Sequence, residues 1–165
     1  MMRYKLMRYK AQGFTLLEVG VVVMTIGILA AIVAPKFASA KDETKIVAVA
    51  EDINSISQAL IYFQSNKGYW PADTAPGKVP PEIVALFSQG EELFSTPTPI
   101  GGVFDYENIK TNNTVLIIIR STLTTPAPSI VDAQALDAYL DDGVLNTGNF
   151  RATVGGGYAY RFSNR

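Results

Sequence analysis

From Phe14 to Ala34 the chain runs for 21 residues with a single ionisable side chain, Glu18. A helix rises about 1.5 Å per residue, so such a run crosses roughly 30 Å of hydrocarbon. The stretch is therefore expected to be a membrane-spanning helix. Gly20, Gly27, Ala30, Ala31 and Ala34 lower its profile, and small residues let helices approach closely in lipid. Glycines are also ordinary in membrane helices, so packing is one of two readings for them. Glu18 breaks the pattern. A charged side chain at the bilayer centre costs about 2.5–3.5 kcal/mol even on lenient insertion scales, so a carboxylate kept there calls for a function and a partner. The plainer alternative is an interfacial charge that reaches the headgroups.

Charge is distributed unevenly around this run. Arg3, Lys5, Arg8 and Lys10 precede it with no acid among them. Without those four, ten basic side chains face fifteen acidic ones, and the remainder of the chain is near −5. Positive charge before the apolar run and acid after it orient the leader to the cytoplasm and the bulk outside. Met2-Arg3-Tyr4-Lys5 recurs as Met7-Arg8-Tyr9-Lys10, so Met1, Met2 and Met7 are all candidate starts. Each leaves basic residues ahead of Gly13. No nucleic-acid partner is expected, because binding phosphate needs clustered Lys and Arg. With no cysteine, the exported part must fold without disulfides, and with no histidine the commonest general base and metal ligand is missing.

The order of residues around Glu18 is specific. Lys10-Ala11-Gln12-Gly13 is followed by Phe14-Thr15-Leu16-Leu17-Glu18-Val19, that is, basic leader, glycine, aromatic, glutamate and apolar tail. This order resembles the cleavage and methylation signal of type IV pilin-like proteins, a family that includes pilins and the pseudopilins of type II secretion. The motif covers residues 10 to about 36. The resemblance implies removal of residues 1–13 by prepilin peptidase, with cleavage after Gly13, N-methylation of Phe14 and an assembly role for Glu18. Pro35 falls where the family places a helix-bending proline, and a proline inside a helix is expected to kink it. A cut before Phe14 frees an α-amine. On a neighbouring copy, that amine is the natural counter-ion for Glu18. The implied partners are other pilin-like subunits of the same or sibling kinds, the inner-membrane assembly platform and membrane lipid. The implied location is the bacterial inner membrane, single pass, with assembly into a filament.

Beyond Pro35 the hydrophobic pattern becomes one-sided. Ile46, Val49, Ile53, Ile56, Leu60 and Phe63 recur at alternating spacings of three and four, one face of a helix. Lys67 and Gly68 supply stop signals, followed by Pro71. This divides the chain into a leader at 1–13, a transmembrane helix at 14–34, an amphipathic spine at 35–67 and a globular head at 68–165. In the head, Pro81 to Phe87 is expected to form a short helix, Val103–Glu107 a strand and Val115–Ile119 a central strand by its β-branched content. Asn112-Asn113 reads as the turn between those strands, and Thr124 to Pro128 as a linker. Ile130, Ala133, Leu136, Tyr139 and Leu140 suit a second amphipathic helix with Ser129 as N-cap and Gly143 as stop. Tyr158, Tyr160 and Phe162 alternate on one face of a last strand. The expected fold class is α+β, a long N-terminal helix packed on a small antiparallel sheet, as in pilins.

Asp137, Asp141, Asp142 and Asn146 cluster around one turn, and such oxygen ligands suit calcium. Major pseudopilins often hold calcium in a C-terminal loop, yet the spacing here matches neither that loop nor an EF-hand, and acidic turns are commonly just solvated helix ends. No other cofactor is expected. Ala38-Ser39-Ala40 offers an ordinary signal-peptidase site, which would make Lys41 the mature start, but the preceding run exceeds a usual signal and holds Glu18. Gly68-Tyr69-Trp70-Pro71 is similar to the Gly-x-aromatic-Pro after the long helix of many major pseudopilins, and equally reads as a helix end with aromatics over a core. Gly155-Gly156-Gly157 lacks the Lys-Ser/Thr of a phosphate loop. No nucleophile-and-base set appears, so the chain is expected not to be an enzyme. The reading is a pseudopilin of a type II secretion pseudopilus. A type IV or competence pilin is the alternative within the family, and a membrane-anchored ligand-binding module using Tyr69, Trp70 and Tyr158 is the alternative outside it.

Overall fold

A computed structural model describes the backbone of residues 13–111 and 114–162, with the side chains of 35–40 and 162 set aside. Residues 1–12 of the leader, Asn112-Asn113, the side chain of Pro35 and that of Phe162 therefore lie outside the described residues. Helix α1 spans Leu16–Lys67, 52 residues. It runs through position 35, so Pro35 does not end it. The chain divides into two compact units, Met1–Lys41 and Asp42–Arg165.

In the first unit, Leu16–Ala34 is long and apolar enough to cross a membrane. Leu17, Val23, Met24 and Leu29 are all exposed, with no protein side chain covering them. This is the pattern of a helix whose burial comes from lipid or from other helices.

The second unit is an α+β head. The rest of α1 presents its stripe inward. Val49, Ile53, Ile56 and Leu60 are fully buried, flanked by Ile46 and Phe63. Each such side chain contributes about 1.5–3 kcal/mol on burial, so this face fixes how α1 sits in the head. α1 ends where Gly68 adopts φ +80°, with its N–H donating to the Gln64 carbonyl at 2.8 Å. Helix α2 is Glu92–Ser95 and α3 is Ile130–Leu140. Strands β1 (Val103–Ile109), β2 (Thr114–Arg120), β3 (Phe150–Ala152) and β4 (Tyr158–Phe162) form one antiparallel sheet in the order β1-β2-β4-β3.

Alternation along the strands sorts the two faces of the sheet. Phe104 and Tyr106 of β1, Ile117 and Ile119 of β2 and Phe150 of β3 belong to the core with the α1 stripe. Asp105, Glu107, Leu116, Ile118, Arg120, Arg151 and Ala159 face the other way. The segment after α1 shields the outer rim of β1. The Gly77 N–H donates to the Phe104 carbonyl at 2.9 Å, while the Tyr106 hydroxyl and Asn108 Nδ2 donate to the Pro71 carbonyl at 3.2 and 2.9 Å. Gly102, at φ +75°, precedes β1. A Cβ there would lie 2.8 Å from Ile119 Cγ2 and 3.0 Å from the Arg120 carbonyl, so only glycine fits this turn.

Three expectations are corrected. The helix expected from Pro81 to Phe87 is a single 3-10 turn, Val84–Leu86. Pro80-Pro81 leaves too few residues to nucleate an α-helix before Phe87 turns extended. On α3 only Ala133 and Leu136 of the expected stripe are fully buried, whereas Ile130 and Tyr139 are exposed by 62% and 56%. The first strand extends two residues past Glu107, to Ile109.

Candidate functional site

Glu18 lies in the first turn of α1 and meets Thr15. The Thr15 N–H and hydroxyl both donate to Glu18 Oε2, at 2.8 and 2.7 Å, and the Glu18 N–H donates to Thr15 Oγ1 at 3.2 Å. This is a reciprocal capping box, which satisfies backbone donors that a helix start otherwise leaves orphaned. Its signal, Thr-x-x-Glu, stands in the sequence at Thr15 and Glu18, but the sequence reading gave Thr15 no role. Phe14 is 87% exposed and Gly13 precedes it in irregular backbone. Gly13, Phe14 and Glu18 thus sit together at the start of the apolar helix. The carboxylate already holds two donors from its own chain.

The acidic turn is the second candidate. α3 starts at Ser129, whose hydroxyl accepts from the Asp132 N–H at 3.1 Å, as the cap expectation required. It ends at Leu140 with Asp141 as its cap, and residues 141–149 lead into β3. Asp137, Asp141 and Asp142 bring carboxylate oxygens within 4.8 Å of one another. Asp142 is tied into the loop, accepting from the Val144 N–H at 2.8 Å and the Thr147 hydroxyl at 2.6 Å. Asp141 accepts from the Asn149 N–H. Gly148, at φ +70°, gives Asp141 its room, since a Cβ there would overlap Asp141 Oδ2 at 1.8 Å. Asn146 lies exposed in the same loop.

Asp137 differs from its two neighbours. It is fully buried and neither oxygen has a well-formed hydrogen bond. Burial raises its pKa, and repulsion from Asp142 and Asp141 raises it further, opposed only weakly by the nearby Gly143 N–H. Asp142 is shifted the other way, chiefly by the Thr147 hydroxyl. A buried carboxylate with unused oxygens, facing two more carboxylates, fits a hard cation with oxygen ligands.

A further charged group was not foreseen. On the outward sheet face, Arg120 Nε lies 2.8 Å from Asp105 Oδ2 and its Nη2 meets Glu107. The Asp105 side chain is 2% exposed. Burial pushes its pKa up to about 6, against the pull of Arg120 and with added repulsion from Glu107 and Asp73. Alternation alone would have placed Asp105 in solvent. What surrounds it is tertiary: Arg120 reaches across from β2, and Asp73 of the segment after α1 lies near enough to repel it. The hydroxyls of Ser57 and Ser95 are spent on helix carbonyls, at 2.6 and 3.2 Å, not on an activating base.

Tyr69 is exposed and stands edge-on to Phe63, with ring centroids 5.5 Å apart. Trp70 packs half-buried on the core, as does Tyr158, which stacks on Phe150 at 6.1 Å. All three side chains serve the helix end and the sheet.

Among curated proteins, the chain is 38% identical over 65 residues to the type II secretion system core protein G of Pseudomonas aeruginosa. It is 34% identical over 108 residues to the protein of that name from Klebsiella michiganensis, and 33% identical over 64 residues to that of Pectobacterium carotovorum subsp. carotovorum. These matches cover 39%, 61% and 39% of the chain, respectively. The chain spans 46% and 41% of the length of the Pseudomonas and Pectobacterium relatives and 74% of the Klebsiella one. No family model matches the chain, and no solved structure does.

Proposed function

Because the chain belongs to the family of type II secretion system core protein G, we propose that it is a structural subunit of a type II secretion pseudopilus and not an enzyme. The observation that carries this reading is the bare apolar helix Leu16–Ala34, whose start holds a hydrogen-bonded carboxylate and whose continuation supplies the core stripe of the head. Prepilin peptidase would cut after Gly13 and methylate the amine of Phe14. The subunit would then wait as a single-pass inner-membrane protein, its head outside the cytoplasm, until the assembly platform draws it into a filament with other pilin-like subunits.

Glu18 works in two stages in this account. In the waiting subunit the Thr15 donors solvate one of its oxygens within its own chain, which lowers the cost of a carboxylate near lipid. The charge itself remains, and the Phe14 amine of a neighbouring subunit would neutralise it on assembly. Pro35 would let α1 bend between membrane and head. Asp137, Asp141 and Asp142 would hold a calcium ion, supported by the unpartnered buried oxygens of Asp137. Calcium supplies positive charge there, and this chain's residues bind it and tie the turn after α3 to β3.

N-terminal analysis of the mature protein tests the reading. An N-methylated Phe14 is expected. A mature chain beginning at Lys41, or one that keeps its leader, would refute it.

A further inference from the structure

α1 and α3 leave an apolar groove of about 500 Å³ on the head, floored by Ile46, Val47, Val131 and Tyr139. Val131 and Tyr139 are exposed by 70% and 56%, although the helix bearing them buries Ala133 and Leu136 completely. Asp42, Glu43 and Asp132 line the rim. Lys45 engages Asp42 at 2.8 Å and the Ser129 hydroxyl donates to Asp132 Oδ2 at 2.6 Å; with Lys45 the one base among these side chains, Glu43 and the other Asp132 oxygen keep the rim net acidic.

Elsewhere on the head stands a feature of matching shape and opposite charge. The β3–β4 turn is closed by the Thr153 N–H on the Gly157 carbonyl at 2.8 Å and by the Gly157 N–H on Thr153 Oγ1 at 3.1 Å. At its tip Val154 is wholly exposed, and exposed Arg151 stands three residues before it. Arg151 is steadied by its Nε donating to the Gly148 carbonyl at 2.7 Å, which leaves its terminal N–H groups for another acceptor. An aliphatic tip on a hydrogen-bonded turn is pre-organised for insertion and loses little freedom on docking.

We propose that the β3–β4 turn of one subunit docks into the α1–α3 groove of a second copy, with Val154 on the apolar floor and Arg151 against Glu43 and Asp132. This rests on the filament reading above. Charge complementarity selects the occupant, since the tip is basic where the rim is acidic. Turn and groove share no residue, so one subunit can offer its turn to one neighbour while its groove receives the turn of another. Repeated head to tail without closing, such a contact adds copies in one direction, as a filament requires. The groove also begins at Asp42, on the same helix whose apolar half would pack in the filament.

The natural absence of cysteine permits a direct test. Full-length chains carrying either Val131→Cys or Val154→Cys are produced, alone and together, in cells with the secretion machinery. Filaments are then checked by electron microscopy and oxidised. Both sites are exposed, so each variant should fold and assemble. The expected result is a disulfide-linked dimer only when the two chains are mixed, lost on adding Arg151→Glu and regained with Glu43→Arg. Filaments that form without the mixed cross-link overturn the contact and leave the filament reading standing. Cross-links within either variant alone, or from Val154→Cys to a sibling subunit, also overturn it. Failure of the unaltered chain to enter filaments refutes the filament reading, and the contact with it.

Discussion

Replacing Asp137 with asparagine should reverse its effect on stability according to whether calcium is present. Without metal, the wild-type head buries a carboxylate with two unpartnered oxygens beside Asp141 and Asp142. A buried group left unsatisfied costs about 1–3 kcal/mol and more when charged; asparagine also leaves polar atoms unpartnered, but it removes the charge and its repulsion from Asp141 and Asp142 while keeping the shape. Asp137→Asn should therefore be the more stable protein in EGTA. At roughly 4 °C per kcal/mol for a domain of this size, its Tm should lie about 4–12 °C above wild type. The wild-type carboxyl binds its proton more tightly folded than unfolded, so its contribution is present in acid and lost as pH rises through its folded pKa. A metal-free wild-type head should accordingly gain stability as the pH falls. Calcium at about a thousand times Kd adds about 4.1 kcal/mol to whichever form binds it. Wild type should then rise by about 16 °C and the variant should barely move, reversing their order. Thermal unfolding of the detergent-solubilised full chain, followed by near-ultraviolet circular dichroism in EGTA, calcium and magnesium, measures this. A wild-type Tm indifferent to calcium, or an equal rise in the variant, would refute the reasoning.

Three further outcomes are expected. Glu18→Gln keeps an oxygen for the Thr15 donors but removes the charge, so it should be processed and inserted normally yet form no filament in an electron-microscopy assay; wild-type polymerisation by this variant would sink the charge argument. Thr15→Val deletes the hydroxyl of the cap, which is worth about 0.5–2 kcal/mol, and should reduce filament yield without abolishing it, as judged by sedimentation of sheared filaments. Asp105 carries a pKa of about 6 in the fold, raised from its ordinary value, so its contribution is present below the unfolded pKa near 4 and lost as pH climbs through about 6. Between pH 5 and 7.5 the wild-type stability should therefore fall by an amount on the order of 1–2 kcal/mol, read from urea unfolding, and Asp105→Asn should flatten that slope; an equally steep slope in the variant would count against it.

Legibility followed the length of the signal. The six-residue stripe from Ile46 to Phe63 is entirely buried, because a pattern repeated over five turns leaves one packing solution. The continuous run Val115–Ile119 did mark a central strand, paired on both sides. Four-residue α2 and three-residue β3 escaped notice. β3 exists only because β4 offers it a ladder, through Phe150, Arg151 and Ala152. Asp105 alternates as a solvent residue should, and its burial beside Arg120 of the neighbouring strand is a property of the assembled sheet. Among the calcium candidates, residue type pointed to one turn, where the fold brings Asp137, Asp141 and Asp142 together. Only the fold singles out Asp137, by burying it while leaving Asp141 and Asp142 in contact with their own loop.

The shielded rims of the sheet carry a consequence for a polymer-forming protein. Subunits stored side by side reach local densities at which bare strand edges recruit one another into amyloid-like stacks. Here one border strand is three residues long, too short to template a ladder. The other has backbone and side-chain groups already engaged by the Pro71–Gly77 segment. Cross-β growth is thereby disfavoured, and ordered stacking through helices is left as the cheaper way for these molecules to gather.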